Sequence, residues 1–542
     1  MGRTTKLLLI CLTLLALVSP GVPVAAGAPR PAPASGAADC RLPSATSNLD
    51  EGPSDWDLNV QPIGAVKAVM LFVDFPDAVG AGSTADYYGQ LAGAVGWFDE
   101  VSYGRVSLQI TPVGQWFRMP QASTAYEWPT NLTFGTQKAY IEDAVQAADA
   151  QVDFAAYDIV YIVPTTAAAA ISFSPTFISY AGGGVAADGG EIRAAVTFGQ
   201  DLWDWGFEVL NHETGHIFSL PDLYGFSGSD VHRYVGGWDL MGLISGRAPG
   251  YTAWQRWKLG WLDDAQIHCV LSAGESDHTV TPVETPGGTK AVVVRTGETT
   301  AYVAEVRQAT GVDASVCQPG VLVYEVDSAA PTGYGPIVVQ DPHPNTSGAC
   351  GGLDDATYAL GDGQVSTFTD SAAGVTISVT GTQATAYTLH VSRASSFASY
   401  QPDVLVGLGS GTSLGDDVYN ATGTGQTKGT RSAAGKTKTF TITVQNDGTA
   451  ADSYIIDGPG NSKGFTLEYL KGSNGTKSIT SAVTAGTYTV SGIAPGGTAV
   501  LRVQITVTSS ARTGKEKICA VTATSANDAT STDTVKAKVT AA

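Results

Sequence analysis

Basic side chains are scarce in this sequence. Among 542 residues, Lys and Arg number 30 against 50 Asp and Glu, a formal net charge of −20. A surface of that sign repels phosphate backbones and anionic lipid, so nucleic acid is not expected as a partner. Long apolar runs are also missing after the first two dozen residues, and no membrane anchor is expected. The opening MGRTTKLLLICLTLLALVSPGVPVAAGA has Arg3 and Lys6, an apolar run over residues 7–18 too short to span a bilayer, and then small residues. That layout predicts a secretory signal over 1–26 and an extracellular protein. A cysteine-nucleophile constellation, a complete EF-hand loop and a solenoid or propeller period are all absent, which removes the corresponding classes.

Cysteine is sparse, at positions 11, 40, 269, 317, 350 and 519. The first leaves with the signal, and the remaining five allow at most two intramolecular bridges in an oxidising compartment. Spacing does not fix connectivity; the favoured pairs are Cys40 with Cys269 and Cys317 with Cys350.

The pattern along the chain predicts several domains. Residues 27–60 form an N-terminal segment with a pro-region as one reading. Residues 61–267 read as mixed α/β (α+β), with buried strands at 65–77 and 157–165 and a strand in SYGRVSLQITPVGQWF. Helices are expected over 87–101 and 138–148. The Ala, Ser and Gly-rich stretch 166–190 reads as a long surface loop and 191–198 as an edge strand. From 268 to 395 short alternating runs such as KAVVVRT and GVLVYEVD predict an all-β sandwich module. Residues 396–542 read as a linker followed by a second, Ig-like sandwich.

Histidine is rare too, seven in all, yet His212 and His216 stand four apart in HETGH with Glu213 between them. Residues four apart lie one above the other on a helix, so both imidazoles can reach one ion. By chance an HExxH is expected on the order of 0.005 times in such a chain. Trp203, Phe207, Leu210, Ile217 and Phe218 fall on the opposite side of that helix, which packs by its back and offers the histidines to a cleft. Zinc suits imidazole and carboxylate donors and does chemistry with three protein ligands and an open position. Pro221 stops the helix, and Asp222, six residues past His216, offers the third donor. Asp230, His232 and Glu208 are the alternatives. Cys40, in ADCRLPS, has a second reading as a thiolate cap on the metal in a latent precursor. Downstream, GGWDLMG sets Met241 in a glycine-flanked turn, where it could floor the ligands. YTAWQRWKLGW (251–261) reads as a short helix.

HETGHIFSLPDLYG followed by GGWDLMG and AWQRWKLGW resembles the immune inhibitor A family of secreted metallopeptidases, within the metzincin group. LFVDFPD, FDEVSYGRVSLQ, VDFAAYDIVYIV and GVLVYEVD extend the resemblance over roughly residues 65–395. It implies a metzincin-like catalytic domain followed by two all-β modules, one catalytic zinc bound by His212, His216 and Asp222, Glu213 as catalytic acid/base, and Met241 as the Met-turn. Structural calcium is also implied, with no residue assigned. Two positions depart from the pattern: Ser219 stands where metzincins usually turn on glycine, and Leu243 where some carry a tyrosine that stabilises the oxyanion.

The expected activity is hydrolysis of extracellular proteins or peptides by a secreted zinc endopeptidase, with a monomer favoured. The rival reading is a non-catalytic extracellular binding protein whose metal site is degenerate or structural.

Overall fold

The computed structural model describes residues 36–44, 49–128, 132–409 and 411–542. The signal-like leader, Cys11 and part of the 27–60 segment lie outside them. The described chain is mixed α/β, mostly sheet with few helices.

The first sheet is built from β1 (Gly64–Asp74), β2 (Val106–Arg118), β3 (Ile159–Pro164), β4 (Thr176–Ile178) and β7 (Ala194–Thr197), in the order β2-β1-β3-β7-β4. A hairpin of β5 (Val185–Ala187) and β6 (Gly190–Ile192) stands apart. All neighbours are parallel except β4, which runs antiparallel to β7. Alternation along β1 explains its unbroken apolar run, since a strand buried on both faces needs apolar residues at every position. Ala68, Met70 and Phe72 enter one core, while Val69, Leu71 and Val73 enter the other.

Helix Phe134–Ala148 covers the second core through Tyr140, Ile141, Ala144 and Val145. Thr84–Leu91 and Gly93–Val101 lie against the first, where a single helix over 87–101 was the expectation. A Cβ at Gly93 would come 2.7 Å from the Phe207 ring, so the glycine that weakens helical continuity also gives Phe207 its seat.

Two sequence expectations need correcting here. The stretch 166–190 is not only loop, since it supplies β4 and β5. The segment 191–198 is not the edge, because β7 sits between β3 and β4. Parallel β7 is buried at all four positions, and the true edge strand is three residues long, too short for periodicity to reveal.

Beyond 266 the helices give way to β8 (Ile267–Val270), β9 (Gly274–Val280), β10 (Ala291–Arg295), β11 (Thr300–Arg307), β12 (Gly320–Asp327), β13 (Ile337–Val339) and β14 (Thr357–Tyr358). They continue into β15 (Thr367–Asp370), β16 (Val375–Gln383) and β17 (Ala386–Arg393). One sheet runs β13-β12-β11-β10-β8 with β14 on β12, the other β15-β16-β17-β9. Between them lie Val292, Ala304, Val323, Ile377 and Leu389. The opposite face of the first sheet carries Val293, Val303, Leu322 and Tyr324 into the same core as Trp254, Trp257 and Met241. The boundary near 268 is therefore a change of pattern and not a break in the core.

The C-terminal sandwich has its own core, from Val404 to Ala541. Pro402–Leu408 and Thr427–Ser432 are strands of its two sheets, so part of the Gly, Ser and Thr-rich stretch 396–435 read as linker belongs to the sandwich. Disulfides join Cys40 to Cys269 and Cys317 to Cys350, the favoured pairs. With its sulfur bonded to Cys269, Cys40 is not a metal cap. Among the described residues no helix is long and apolar enough to cross a membrane.

Candidate metal centre

The histidine helix, Phe207–Ile217, begins at Gly206, whose φ of 64° separates it from the short helix Asp201–Trp205. Its back is fixed by burial: Leu210, Ile217 and Phe218 have no exposed surface. Each such side chain contributes about 1.5–3 kcal/mol relative to exposure. Thr214 adds a polar pin, exchanging a hydrogen bond of 2.8 Å with the Tyr161 hydroxyl on β3. His212, Glu213 and His216 come off the other side, and one potential donor atom from each lies within 4.8 Å of the others.

The chain leaves the helix through a tight reversal. Ser219 N donates to His216 O at 2.9 Å and Leu220 N to Gly215 O at 3.0 Å, the paired bonds of a Schellman cap whose penultimate residue is left-handed. That residue is Ser219, at φ 79°. The departure from glycine noted in the sequence falls on a conformation a β-carbon disfavours. Lys258 braces it, its ammonium donating to Ser219 O at 2.7 Å and also to Asp50 O. Val60 N donates to Ile217 O at 3.1 Å, so residues 50–60 pack against the end of the histidine helix.

The reversal brings Asp222 back over the histidines. Its Oδ1 lies 3.2 Å from His212 Nε2 and 3.2 Å from His216 Nε2. Tetrahedral zinc with bonds of 2.0–2.1 Å needs neighbouring donors about 3.3 Å apart. The far side of each ring is committed: His212 Nδ1 pairs with Leu240 O at 3.1 Å and His216 Nδ1 with Leu220 O at 2.8 Å. A carbonyl only accepts, so both Nδ1 atoms carry hydrogen and it is Nε2 of each ring, the atom that offers a lone pair when the ring is neutral, that faces the carboxylate. Asp222 Oδ1 is buried and has no hydrogen bond of ordinary geometry. Three such electron pairs facing one another call for a positive charge between them, a proton on Nε2 or a metal ion, and the donor set fits zinc. Burial opposes a charge on His216, yet the Asp222 carboxylate overrides it and raises the pKa to about 9. Burial works equally against a charged Asp222, and the two imidazoles hold its carboxyl well below the usual range.

Thr176 on β4 donates its hydroxyl toward Glu213 Oε2 and Glu213 O, both at 2.8 Å. Burial raises the Glu213 pKa, with the two histidines and Thr176 pulling the other way. Met241 lies beneath: a Cβ at Gly215 would come 2.7 Å from Met241 Sδ, and Leu223 N donates to Met241 O at 2.9 Å. Asp239 fixes that turn, accepting from Met241 N and Thr252 N at 2.8 Å each. Of the three alternatives, His232 lines the same cleft as His212 and Glu213, and each makes a local contact of its own. His232 Nδ1 donates to Gly242 O at 2.8 Å; Asp230 caps His232 N; and Glu208 lies one turn earlier on the helix, toward Gly206.

Two contributors escape a reading of the sequence. Tyr224 stacks obliquely beside His212, ring centroids 6.2 Å apart, and lines a cleft of about 700 Å³ with His212, Glu213, Leu240 and Leu243. Burial, then the carboxylates of Asp222 and Glu213, raise its pKa and keep the phenol a donor. The second is Thr332, between β12 and β13. Its hydroxyl accepts from Asp222 N at 2.9 Å and lies 3.5 Å from Asp222 Oδ2, while Gly333 N donates to Asp222 O at 3.0 Å. Only the tyrosine carried a signal, its place in PDLYG just past the third donor.

No family model and no curated protein matches this chain. Among solved structures it matches the secreted serine protease VesC from Vibrio cholerae at 10% identity and a TM-score of 0.16. That match covers 29% of this chain and 28% of the other, and a likeness so slight carries no argument.

Proposed function

We propose that this chain is a secreted zinc-dependent endopeptidase, similar to the immune inhibitor A group of metzincins, acting on extracellular proteins. The observation that carries the reading is the placing of Asp222 Oδ1 3.2 Å from two Nε2 atoms whose rings are oriented by Nδ1 hydrogen bonds to backbone carbonyls. His212, His216 and Asp222 would hold a zinc ion, which when bound would supply Lewis acidity toward the scissile carbonyl and lower the pKa of water toward ~7. Glu213 takes the proton from the attacking water on the carboxylate oxygen not engaged by Thr176 and delivers it to the leaving amine. Its raised pKa suits both halves of that task. Tyr224 donates its phenolic hydrogen to the oxyanion as charge develops there, the role left open by Leu243. Among the described residues β4 pairs with β7 on one side only, and its other edge, beside Glu213 through Thr176, can take an extended peptide as an added strand.

The test is made on the purified full chain. Zinc should be present at one per chain, casein cleavage should disappear with chelator and return with zinc, and Glu213→Gln should keep the metal but lose turnover by at least about 10³-fold. Bound zinc without cleavage would favour the binding-protein reading, and cleavage surviving in the glutamine variant would remove Glu213 from its role.

A further inference from the structure

Exposed aromatic side chains are ordinary one at a time, but a connected set leading into a cleft marks a binding surface. Such a set starts at the candidate metal centre. Between ring centroids, Tyr224 stands 6.2 Å from His212, Phe226 5.6 Å from Tyr224, and Tyr334 6.1 Å from Phe226. The three contacts are tilted or edge-on, arrangements that aromatic quadrupoles favour over a face-to-face sandwich. Exposure grows outward along the run: Tyr224 is partly buried, Phe226 is 49% exposed and Tyr334 56%.

The run crosses from the catalytic region to the β module. Tyr224 and Phe226 follow Asp222 in the chain, whereas Tyr334 comes from the segment between β12 and β13, next to the Thr332 and Gly333 that hold the Asp222 backbone. Phe226 N donates to Gly333 O at 3.0 Å, and its ring covers that glycine so closely that a Cβ there would run into it. Gly333 also takes φ 76°, so the backbone and the ring above it both call for glycine. Phe226 is thus seated by the β module on one side while half its surface faces solvent. The remaining wall of the cleft agrees in character: Trp205, Val231, Leu243 and Ile244 line it, with Asp201 and Glu213 and no Lys or Arg. Such a wall favours apolar side chains and disfavours acidic ones. Along an extended peptide, side chains on one side recur every second residue, about 6.6–6.8 Å apart, close to the 5.6 and 6.1 Å that separate these rings.

We infer that Phe226 and Tyr334 form a subsite for a bulky apolar or aromatic side chain of the substrate, on the Tyr224 side of the scissile bond and beyond the residue next to it. The inference rests on the peptidase reading and adds a substrate class to it: extended segments that carry Phe, Tyr, Trp or Leu about two to four residues from the cut, and no Asp or Glu there. Through Tyr334 and the glycine beneath Phe226, the β module becomes part of the surface that selects the substrate.

Cleavage of a random peptide library by the zinc-loaded full chain, with the cut sites read by mass spectrometry, tests it. Expected in the wild type is enrichment of Phe, Tyr, Trp and Leu about two to four residues to one side of the cut. A well-cleaved peptide is then compared with its copy carrying Ala at the enriched position. Their kcat/KM values should differ by at least about 10-fold in the wild type, and by less than about threefold in Phe226→Ala and in Tyr334→Ala. Tyr334→Phe, which keeps the ring, should keep the wild-type ratio. Alanine variants that slow both peptides equally, with the ratio preserved, would make the two rings structural and overturn the subsite. A wild type that cuts with no preference beyond the residues flanking the bond would also overturn it, while leaving the peptidase reading in place. A zinc-loaded wild type that cuts nothing in the library would remove that reading and the subsite together.

Discussion

Ser219 keeps a β-carbon at φ 79°, where the clash with the following carbonyl costs roughly 1–2 kcal/mol. The reversal survives because its carbonyl is held by Lys258 and because Leu210, Ile217 and Phe218 anchor the helix before it. Ser219→Gly should therefore raise stability by about 0.5–1 kcal/mol in urea unfolding, with zinc affinity unchanged. A loss of stability would mean that the contacts of the serine side chain outweigh the strain. Tyr224 makes a different kind of demand. As an oxyanion donor it acts only in the transition state, so Tyr224→Phe should lower kcat by about 10²-fold with little change in KM. An unaltered kcat would reduce the phenol to a wall of the cleft.

Among the elements, the segment between β12 and β13 does the most for a region it does not belong to. Thr332 and Gly333 bond the backbone of Asp222 on both sides, and the Thr332 hydroxyl stands beside its carboxylate. Thr332→Val keeps the shape and removes the hydroxyl, so zinc affinity should fall about 10–100-fold, the usual effect of losing an outer partner of a metal ligand. Competition with a chromophoric chelator measures it, and Thr332→Ser should restore the affinity; equal affinities in all three proteins would make Thr332 ordinary packing. This contact was illegible in the sequence because it joins residues 110 apart, and no local pattern encodes such a pairing. The HExxH helix was legible for the opposite reason, since its spacing, its apolar back and Pro221 all lie within twenty residues. β4 failed in between: three residues among Ala, Ser and Gly have no period to read, although Thr176 from that strand holds Glu213. β7 was seen as a strand but placed at the edge, because burial on both faces depends on β4 beside it.

At the scale of the molecule, changes of pattern and divisions of the core do not coincide. The shift from helical to alternating periodicity near 268 was plain, yet Tyr324 and Val303 share a core with Trp257 and Met241. Buried Arg307 on β11 crosses the same line. It donates to Glu305 at 2.7 Å, to Asp313 at 2.7 Å, to Gly250 O at 2.9 Å and to Trp238 O at 3.0 Å, so the turn bearing Met241 leans on a charge from the β module. Near 397 the reverse holds. Two short pieces of the expected linker are strand, but the core of the C-terminal sandwich takes no residue from before Val404, and Phe397 is the last to enter the first core. Two truncations separate these junctions. A chain ending at Ala398 should fold, bind one zinc and retain cleavage close to that of the full chain, because every donor, Thr332 and Arg307 remain. A chain ending at Gln266 loses Thr332, the Cys40 bridge to Cys269 and the partner face of Trp254 and Trp257, and exposes an apolar surface that has no polar substitute. It should aggregate or fail to bind zinc, as solubility and metal content will show. Full zinc binding by the shorter chain would mean that the catalytic region closes its own core, and that the module after it is the spacer its sequence suggests.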